Sequence, residues 1–491
     1  MLNVNPVLLI DFYKADHRNQ YPEGTKEVYS NFTPRSLKLA PPGCEDGVVV
    51  FGIQAVVEGF LIDYWEQNFF NKKKDRVVGE FQRRMDNSLG KGSVTSEHIA
   101  ALHDLGYLPI EVKCLPEGSV CPPKVPMMTI RNTHPAFGWL TNSLESVLSN
   151  LLWKAVTAAT IARAYRKKFD YWADVTGFDK TLVQFQGHDF SFRGLSGLFD
   201  AQVVGAAHML SFVGTDNVPA IDYLEYFYRA DSDKELVGVS VPATEHSVMC
   251  MGTKGDELGT FRRLINTVYP KGFVSIVSDT WDFWKVLTQY LPALKQEILA
   301  RDGRVVIRPD SGDPVKIICG DPEAPAGSAA NKGAIEVLWE LFGGTVTDKG
   351  YKLLDTHIGL IYGDSITLAR QEAILSGLAA KGFCSGNVVL GIGSFTYQYV
   401  TRDTFGQAMK ATSGVVGDER LEIFKDPVTD SGAKKSAKGL LRVEFEDGVY
   451  VLYDQQTEEQ ERKGCLQTVL KDEKEYNKTT LKEIKERLYA N

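Results

Sequence analysis

Several apolar runs in the second half of this sequence end in groups that could hold an anionic substrate. The runs FVSIVSD, RVVIRPDSG, IGLIYGD and NVVLGIGS end respectively at Asp279, at Asp310, at Asp364 and at the pair Gly393 and Ser394. Carboxylates are the oxygen ligands that Mg²⁺ prefers, and a turn with unpaired N–H groups can bind phosphate. The pattern therefore indicates chemistry on an anionic substrate that is chelated by a metal.

The apolar runs also predict the elements that position these groups. Their β-branched residues and the helical spacing between them are typical of parallel strands buried on both faces. Ligands bind at the carboxyl ends of such strands. The carboxyl ends of the strands together form the rim of the barrel. Two upstream segments, VQFQGHDFSFRG and VGVSVPATEHS, extend the series and add to this rim His188, Asp189, Arg193, Glu245 and His246. The predicted fold class is α/β, with an irregular (β/α) barrel formed by five or six such units.

The chain is longer than one hydrophobic core usually serves, so we expect a second domain. Long amphipathic helices are predicted in VVVFGIQAVVEGFLIDYWEQNFF and in the stretch from WLTNSLES to KKFDYW, with broken strands between them. LLRVEFEDGVYVLYD predicts a hairpin, and LKEIKERLYAN a charged surface helix. We expect an N-terminal α+β domain at residues 1–180, the catalytic barrel at 181–399, and a C-terminal segment, 400–491, that packs on the N-terminal domain.

Composition excludes several classes of function. Lys and Arg number 55 against 63 Asp and Glu, a formal charge of −8, which argues against a nucleic-acid partner. The sequence has no run long enough to span a bilayer and no basic leader, so no membrane partner is expected. The seven cysteines contain no CxxC pair, which is typical of reduced thiols in a cytoplasmic enzyme.

A family resemblance rests on short segments that occur in a fixed order. They are DFYKADHRNQYP, HDFSFRG, GTDN, VPATEHS, SDTWD, IRPDSGDP, YGDSI, TRD and FKDPV, from about Leu8 to about Lys438. In order and spacing the chain resembles the nicotinamide phosphoribosyltransferases, which are type II phosphoribosyltransferases. The resemblance implies transfer of 5-phosphoribose from phosphoribosyl pyrophosphate to nicotinamide, with Mg²⁺ as cofactor and ATP as a co-substrate.

Catalytic roles follow from this resemblance and from the chemistry of the side chains. Asp279 and Asp310 can hold Mg²⁺, directly or through water. Arg193 and Arg308 offer guanidinium groups to the pyrophosphate or to the edge of the nicotinamide ring. The resemblance implies that His246 accepts phosphate from ATP, coupling ATP hydrolysis through a phosphohistidine.

The base site is expected to combine aromatic and acidic side chains. The resemblance implies that Tyr13 and Phe190 sandwich the pyridine ring. Asp216 can accept a hydrogen bond from a carboxamide NH₂ but repels the carboxylate of nicotinate, so we expect it to select the base. His188 is expected to lie behind the residues that touch the substrate.

The phosphoribosyl end is expected to meet both backbone and cationic groups. Gly363 and Asp364 can approach the ribose, and the turn at Gly393 and Ser394 can cradle the 5′-phosphate. The resemblance implies that Arg35, Arg402 and Lys410 reach the phosphate from the partner subunit of a homodimer with shared active sites. The remaining candidates elsewhere in the site are Asp11, Glu245, Ser275 and Lys425.

Three departures from the family pattern and several alternatives bear on these roles. Ser394, Ala408 and the pair Ser191 and Phe192 differ from the usual residues, which affects phosphate affinity rather than the reaction.

Strand-end aspartates also cap helices, and Asp216 could be the N-cap of VPAIDYLEYFY. The alternative functions are a nicotinate or quinolinate phosphoribosyltransferase, which does not need Asp216, and a Mg²⁺-dependent barrel phosphohydrolase, which has no base pocket.

Overall fold

The structure is a computed structural model that describes residues 3–425 and 437–490. Its strands, numbered along the chain, are β1 Thr25–Pro34, β2 Val48–Val49, β3 Ile110–Cys114, β4 Val120–Cys121, β5 Met128–Asn132, β6 Gly187–Asp189, β7 Gly214–Thr215, β8 Val274–Val277, β9 Val305–Arg308, β10 Gly344–Val346, β11 Lys352–Leu354, β12 Ile358–Tyr362, β13 Val388–Ile392, β14 Gln407–Val416, β15 Glu419–Glu422, β16 Leu440–Glu446, β17 Val449–Gln456, β18 Gln467–Lys471 and β19 Lys474–Glu475.

Six of these strands form a parallel sheet in the order β7, β6, β13, β12, β9, β8. Every neighbouring pair in this sheet is parallel, and most apolar side chains of its central strands are buried. Val239 bridges to Gly214 at one edge and Ala243 bridges to Ser275 at the other, so the segment between them joins the two edges. This curled sheet confirms the predicted irregular α/β barrel.

The second sheet is antiparallel and uses both ends of the chain. Its order is β15, β14, β1, β5, β3, β18, β19. Strand β1 pairs with β14 on one side and with β5 on the other, and β3 pairs with both β5 and β18. The sheet confirms an α+β part that is built from N- and C-terminal segments, while the exact domain limits stay a prediction.

Helices surround both sheets. Their bounds are His17–Gln20, Ile53–Val56, Val57–Tyr64, Glu66–Phe70, Lys74–Leu89, Glu97–Leu105, Leu140–Thr176, Leu198–His208, Val218–Tyr228, His246–Met251, Glu257–Arg263, Leu264–Val268, Phe283–Lys285, Val286–Tyr290, Leu291–Leu299, Pro314–Cys319, Ala329–Lys332, Ala334–Phe342, Leu368–Ala380, Ser394–Tyr397, Glu458–Glu461 and Leu481–Tyr489, with 3₁₀ turns at Pro6–Leu8, Phe12–Lys14, Pro135–Phe137, Lys180–Phe185, Phe192–Gly194, Lys254–Asp256, Ser385–Asn387 and Arg402–Phe405.

The helix Leu140–Thr176 connects the two sheets. It is 37 residues long, which corresponds to about 55 Å at the usual rise per residue. It packs against β1 and β14 and also against the barrel helices Leu198–His208 and Leu368–Ala380. The helix ends where Gly177 adopts a left-handed conformation, with φ at 70°. It therefore holds the barrel and the antiparallel sheet against each other.

Some predicted elements differ from the observed ones. The predicted strand in VQFQGHDFSFRG is limited to Gly187–Asp189, because its first residues, 183–185, belong to the 3₁₀ helix Lys180–Phe185. The segment predicted as one long helix starts with the strand Val48–Val49 and contains π-helical turns. The last helix is not purely a surface element, because Leu481, Ile484 and Leu488 are buried. The hairpin of β16 and β17 is confirmed, and the prediction of unpaired thiols holds for all seven cysteines. Within residues 3–425 and 437–490, no helix is long and apolar enough to cross a membrane.

Candidate active site

Asp279 and Asp310 lie side by side because each follows the end of a neighbouring parallel strand, β8 or β9. One oxygen of Asp279, Oδ2, accepts the backbone N–H of Asp310 at 3.0 Å and the hydroxyl of Ser311 at 2.6 Å. The Asp279 side chain is buried. Its carboxylate therefore fixes the loop that carries Asp310, and the two predicted metal ligands are brought together.

The other oxygen of Asp279 faces His246. The distance from Asp279 Oδ1 to His246 Nε2 is 3.2 Å, and half of the His246 side chain is exposed. His246 begins a short helix, and Glu245 precedes it and accepts a hydrogen bond from the Ser247 hydroxyl. The carboxylate engages Nε2, and Nδ1 has no hydrogen bond within the described residues, which is an arrangement that suits a nucleophilic imidazole.

Asp216 lies at the end of β7 and is held by hydrogen bonds rather than acting as a helix cap. Its Oδ1 atom accepts from His188 Nε2 at 2.9 Å and from the Ser240 hydroxyl at 2.6 Å. Burial raises the pKa of Asp216, but these two hydrogen bonds and the positive charges of His188 and Arg308 outweigh it, so the pKa is lowered. The N-cap interpretation is wrong, because Asn217 occupies that position.

The Phe190 ring rests on the backbone of two glycines. An added Cβ at Gly363 would lie 2.6 Å from the ring, and one at Gly391 only 2.2 Å from it. The Phe190 N–H donates to Ile392 O at 3.0 Å, which fixes the residue at the end of β6. The centroid of the ring is 4.9 Å from that of His188. Gly363 thus has a role that the sequence did not indicate, since its bare Cα makes room for an aromatic platform.

Arg308 and Arg193 reach the rim from different elements. The Nη2 atom of Arg308 donates to Thr244 O at 2.8 Å, just before Glu245 and His246. Arg193 is exposed in the turn Phe192–Gly194. That turn packs on the predicted phosphate turn, because a Cβ at Gly194 would lie 2.2 Å from Ser394 Oγ. The turn that carries Arg193 therefore lies beside Ser394.

Tyr362 is a residue of the site that the sequence analysis missed. It is buried as the last residue of β12, and its hydroxyl donates to Gly312 O at 2.7 Å. Burial raises its pKa, and the negative charges of nearby Asp364, Asp310, Asp279 and Asp313 raise it further. Tyr362 thus ties the strand that presents Asp364 to the loop that presents Asp310. Its place directly before Gly363 was the available signal.

Ser275, Asp364 and Lys425 have separate surroundings. Ser275 is buried within β8, where its N–H donates to Pro242 O at 2.8 Å. Asp364 is exposed at the end of β12, where the ribose is expected. Lys425 is exposed at the end of the described segment, and most of its motif, residues 426–428, lies outside the described residues.

Five of the predicted residues lie on the antiparallel part of the same chain. Tyr13 is 62% exposed and packs on His17, and Asp11 accepts a hydrogen bond from the Ser146 hydroxyl. Arg35, Arg402 and Lys410 are exposed near one end of the β1 and β14 pair, where Arg35 Nε donates to Gly406 O at 3.0 Å. Among the described residues, neither Tyr13 nor Asp11 has a contact with Phe190. One chain does not assemble the ring sandwich.

The fit of the rim to Mg²⁺ depends on the substrate. Within the two described ranges, no group of three or more histidine, cysteine or acidic side chains has the geometry to hold a metal ion. Both oxygens of Asp279 already accept hydrogen bonds, which leaves Asp310 as the freer ligand. Mg²⁺ is commonly bound by one or two carboxylates together with substrate phosphates and waters. The residues present fit Mg²⁺ in that form.

Comparisons with known proteins agree with this architecture. Residues 185–474 match the nicotinate phosphoribosyltransferase (NAPRTase) family, and residues 5–112 match the N-terminal domain of nicotinamide phosphoribosyltransferase. The chain is 57% identical to the nicotinamide phosphoribosyltransferase of Acinetobacter baylyi, over 99% of this chain and 97% of that protein. It is 33% identical to the nicotinamide phosphoribosyltransferase of Mycoplasma pneumoniae, over 86% and 92%.

Solved structures share the fold at low sequence identity. Nicotinate-nucleotide pyrophosphorylase from Pyrococcus furiosus superposes with a TM-score of 0.56 at 14% identity, covering 98% of this chain and 93% of that one. Human nicotinic acid phosphoribosyltransferase gives a TM-score of 0.54 at 14% identity, with the same coverage.

Proposed function

The chain belongs to the nicotinamide phosphoribosyltransferases, the enzymes of NAD salvage that form nicotinamide mononucleotide and pyrophosphate, and we propose that the rim of its barrel carries out this transfer. The observation that carries the proposal is the geometry around Asp216. Its lowered pKa keeps the carboxylate charged, and His188 connects it to the Phe190 platform.

The pyridine ring of nicotinamide stacks on Phe190 in this proposal, and its carboxamide N–H donates to Asp216. Nicotinate presents a carboxylate instead, which the charged Asp216 repels. Arg308 reaches the edge of the ring or the pyrophosphate. An enzyme for nicotinate does not need an acid at this position, so Asp216 disfavours that alternative.

Phosphoribosyl pyrophosphate lies across the strand ends. Asp364 accepts hydrogen bonds from the ribose hydroxyls, Gly393 and Ser394 donate N–H groups to the 5′-phosphate, and Arg193 meets the phosphates. The bond from ribose C1 to the pyrophosphate oxygen breaks with its electrons on pyrophosphate, and the pyridine nitrogen donates its lone pair to C1. When bound at Asp279 and Asp310, Mg²⁺ supplies charge neutralisation to the leaving group.

ATP is proposed to act at His246. The Nδ1 atom attacks the terminal phosphorus of ATP, the bond to the bridging oxygen breaks, and ADP leaves. Asp279 stabilises the imidazole through Nε2 during this step, because its carboxylate lies 3.2 Å away. Glu245, the residue before His246, adds a negative charge beside the helix start.

A second copy of the chain is proposed to complete the site. Tyr13 and Asp11 are exposed on the antiparallel part, as are Arg35, Arg402 and Lys410 near the end of the β1 and β14 pair. An isologous dimer would place these groups over the partner's rim twice at once. Tyr13 would then supply the second face of the ring sandwich.

A product assay tests the proposal. The purified protein is incubated with phosphoribosyl pyrophosphate and either nicotinamide or nicotinate, and each mononucleotide is measured. We expect nicotinamide mononucleotide to be the main product. Asp216→Asn should lower the preference for nicotinamide over nicotinate by about tenfold to a hundredfold, since one discriminating polar contact is worth about 1–3 kcal/mol. Equal use of both bases by the unmutated enzyme would contradict the assignment of Asp216.

A further inference from the structure

His188 forms a link between the two parts of the base site. Its Nε2 atom donates to Asp216 Oδ1 at 2.9 Å, and its ring is 4.9 Å from the Phe190 ring, centroid to centroid. Among the described residues, no other histidine contacts both Phe190 and Asp216. A substitution at His188 therefore changes the surroundings of both the Phe190 ring and the Asp216 carboxylate.

The position of the His188 ring is itself fixed. The residue is buried in the middle of β6, between β7 and β13. An added Cβ at Gly214 would lie 2.8 Å from its Nδ1, so the strand next to it leaves only enough room for the ring. With one nitrogen against the Gly214 backbone, the other points along the sheet to Asp216.

The hydrogen bonds of Asp216 are distributed unequally between its oxygens. Oδ1 accepts from both His188 and Ser240, at 2.9 and 2.6 Å. Oδ2 has no hydrogen bond within the described part of the chain. A carboxylate held through one oxygen has a defined direction for the other, and that direction is where a carboxamide N–H can donate.

We propose that His188 is a specificity-determining positioning residue, which aims Oδ2 of Asp216 at the amide of the base. This inference rests on the proposed function. The imidazole donates to Oδ1 through Nε2 and leaves Oδ2 as a negatively charged acceptor, which attracts an amide N–H and repels an acid. Without the His188 donor only the Ser240 hydroxyl holds Oδ1, so the direction of Oδ2 is less well fixed and the preference for the amide falls.

A pair of substitutions at the same position separates the hydrogen bond from the space that the ring fills. The amide of His188→Gln can donate from near the position of Nε2, whereas the shorter side chain of His188→Asn places its amide near Nδ1 and does not reach Asp216. A control is His357→Ala, which removes another histidine and aspartate pair, with 2.6 Å between His357 Nδ1 and Asp355 Oδ1, at the start of β12 and away from the rim.

The measured quantity is the ratio of kcat/KM for nicotinamide to kcat/KM for nicotinate, at saturating phosphoribosyl pyrophosphate and without ATP. His188→Asn should lower this ratio about tenfold to a hundredfold, chiefly by raising KM for nicotinamide, while His188→Gln and the control stay within about threefold of the unmutated enzyme. A merely structural role would lower kcat for both bases and leave the ratio unchanged.

Equal ratios in the Asn, Gln and unmutated proteins overturn the inference, as does an equal loss in the Asn and Gln variants. Thermal melting checks that each variant folds. If His188→Asn does not fold, the Gln variant decides: a retained ratio supports the inference, and a tenfold loss in folded protein overturns it. An unmutated enzyme that makes no nicotinamide mononucleotide would overturn the proposed function instead, so the two failures are distinguishable.

Discussion

Asp279 contacts His246 through one carboxylate oxygen, at 3.2 Å from Nε2, and uses its other oxygen to hold the N–H of Asp310 at 3.0 Å. The proposed phosphate acceptor and the proposed metal ligand therefore share one buried carboxylate. A change at the histidine can reach the loop of Asp310 through a single side chain, which would couple the proposed ATP chemistry directly to the proposed site of phosphoribosyl transfer.

His246→Ala should abolish ATP hydrolysis and its stimulation of product formation. A slow transfer without ATP should remain, because the arginines are retained and Asp279 Oδ2 can still accept from the Asp310 N–H and the Ser311 hydroxyl. ADP release and mononucleotide formation are measured together, and labelled ATP should leave an acid-labile, base-stable phosphate on the unmutated protein alone. Persistent ATP stimulation in the variant would show that the phosphate is carried by another residue.

Gly391→Ala should damage binding of the base. The new Cβ would lie 2.2 Å from the Phe190 ring, so the platform must move. We expect KM for nicotinamide to rise by about twofold to tenfold, as when a stacking contact of about 0.5–1.5 kcal/mol is lost. Gly79→Ala is the control, because nothing lies within 4 Å of its added Cβ on an outer helix. An unchanged KM in Gly391→Ala would remove Phe190 from the base site.

Tyr13→Ala and Asp310→Ala homodimers should each be nearly inactive. If active sites are shared, mixed dimers hold one site with both lesions and one with neither. Co-refolding the two variants should then recover up to about half of normal activity per mixed dimer, by the two-fold symmetry. Mixed dimers that form but stay inactive would show that each site is built within one chain.

Lys485→Met should stabilise the protein at neutral pH. Burial is the main cause that lowers the pKa of Lys485 to about 8, with Glu235 opposing the shift and Arg166 adding to it. Between that value and the ordinary 10.5, the unfolded chain binds more protons, so the free energy of unfolding rises with pH through this interval. At pH 7 the lysine is charged in both states and its burial is fully unfavourable.

Thermal melts at pH 7 and pH 10 check this. The Tm gain of Lys485→Met should be large at pH 7 and smaller at pH 10. Lys482→Met on the same helix is the control, because the Lys482 side chain is 75% exposed, and its Tm should barely change at either pH. A gain for Lys485→Met that is equal at both pH values would mean that the lysine is not desolvated.

The sequence was sufficient for the barrel strands that end at Asp279, Asp310, Asp364 and Gly393, because apolar runs of that kind are buried on both faces whatever surrounds them. The run VGVSVPATEHS was predicted as a further strand, but it makes only single bridges at Val239 and Ala243, which depend on distant strands. Residues 183–185 of the predicted strand in VQFQGHDFSFRG lie in a 3₁₀ helix, where tertiary packing overrides a β-like composition.

The residues of the candidate site also fall into a group that the sequence predicts and a group that it does not. Acidic groups at strand ends were predictable, because their position follows from the strand. The partners that aim them were not, since Ser240 and Ser311 are ordinary hydroxyl residues until the fold brings them within hydrogen-bond distance of Asp216 and Asp279. Tyr362 was missed for the same reason, because a tyrosine at the end of a buried run is more often a core residue.

Strand β1 cannot pair with β14 until most of the chain has been synthesised. Asn31 donates to Lys410 O across a separation of 379 residues, which a ribosome adding roughly 5–20 residues per second takes on the order of tens of seconds to cover. During that interval one edge of the first strand has no partner, and such edges invite association with other chains. Nascent chains stalled before residue 407 should therefore bind chaperones that cover extended apolar segments, and released full-length chains should not.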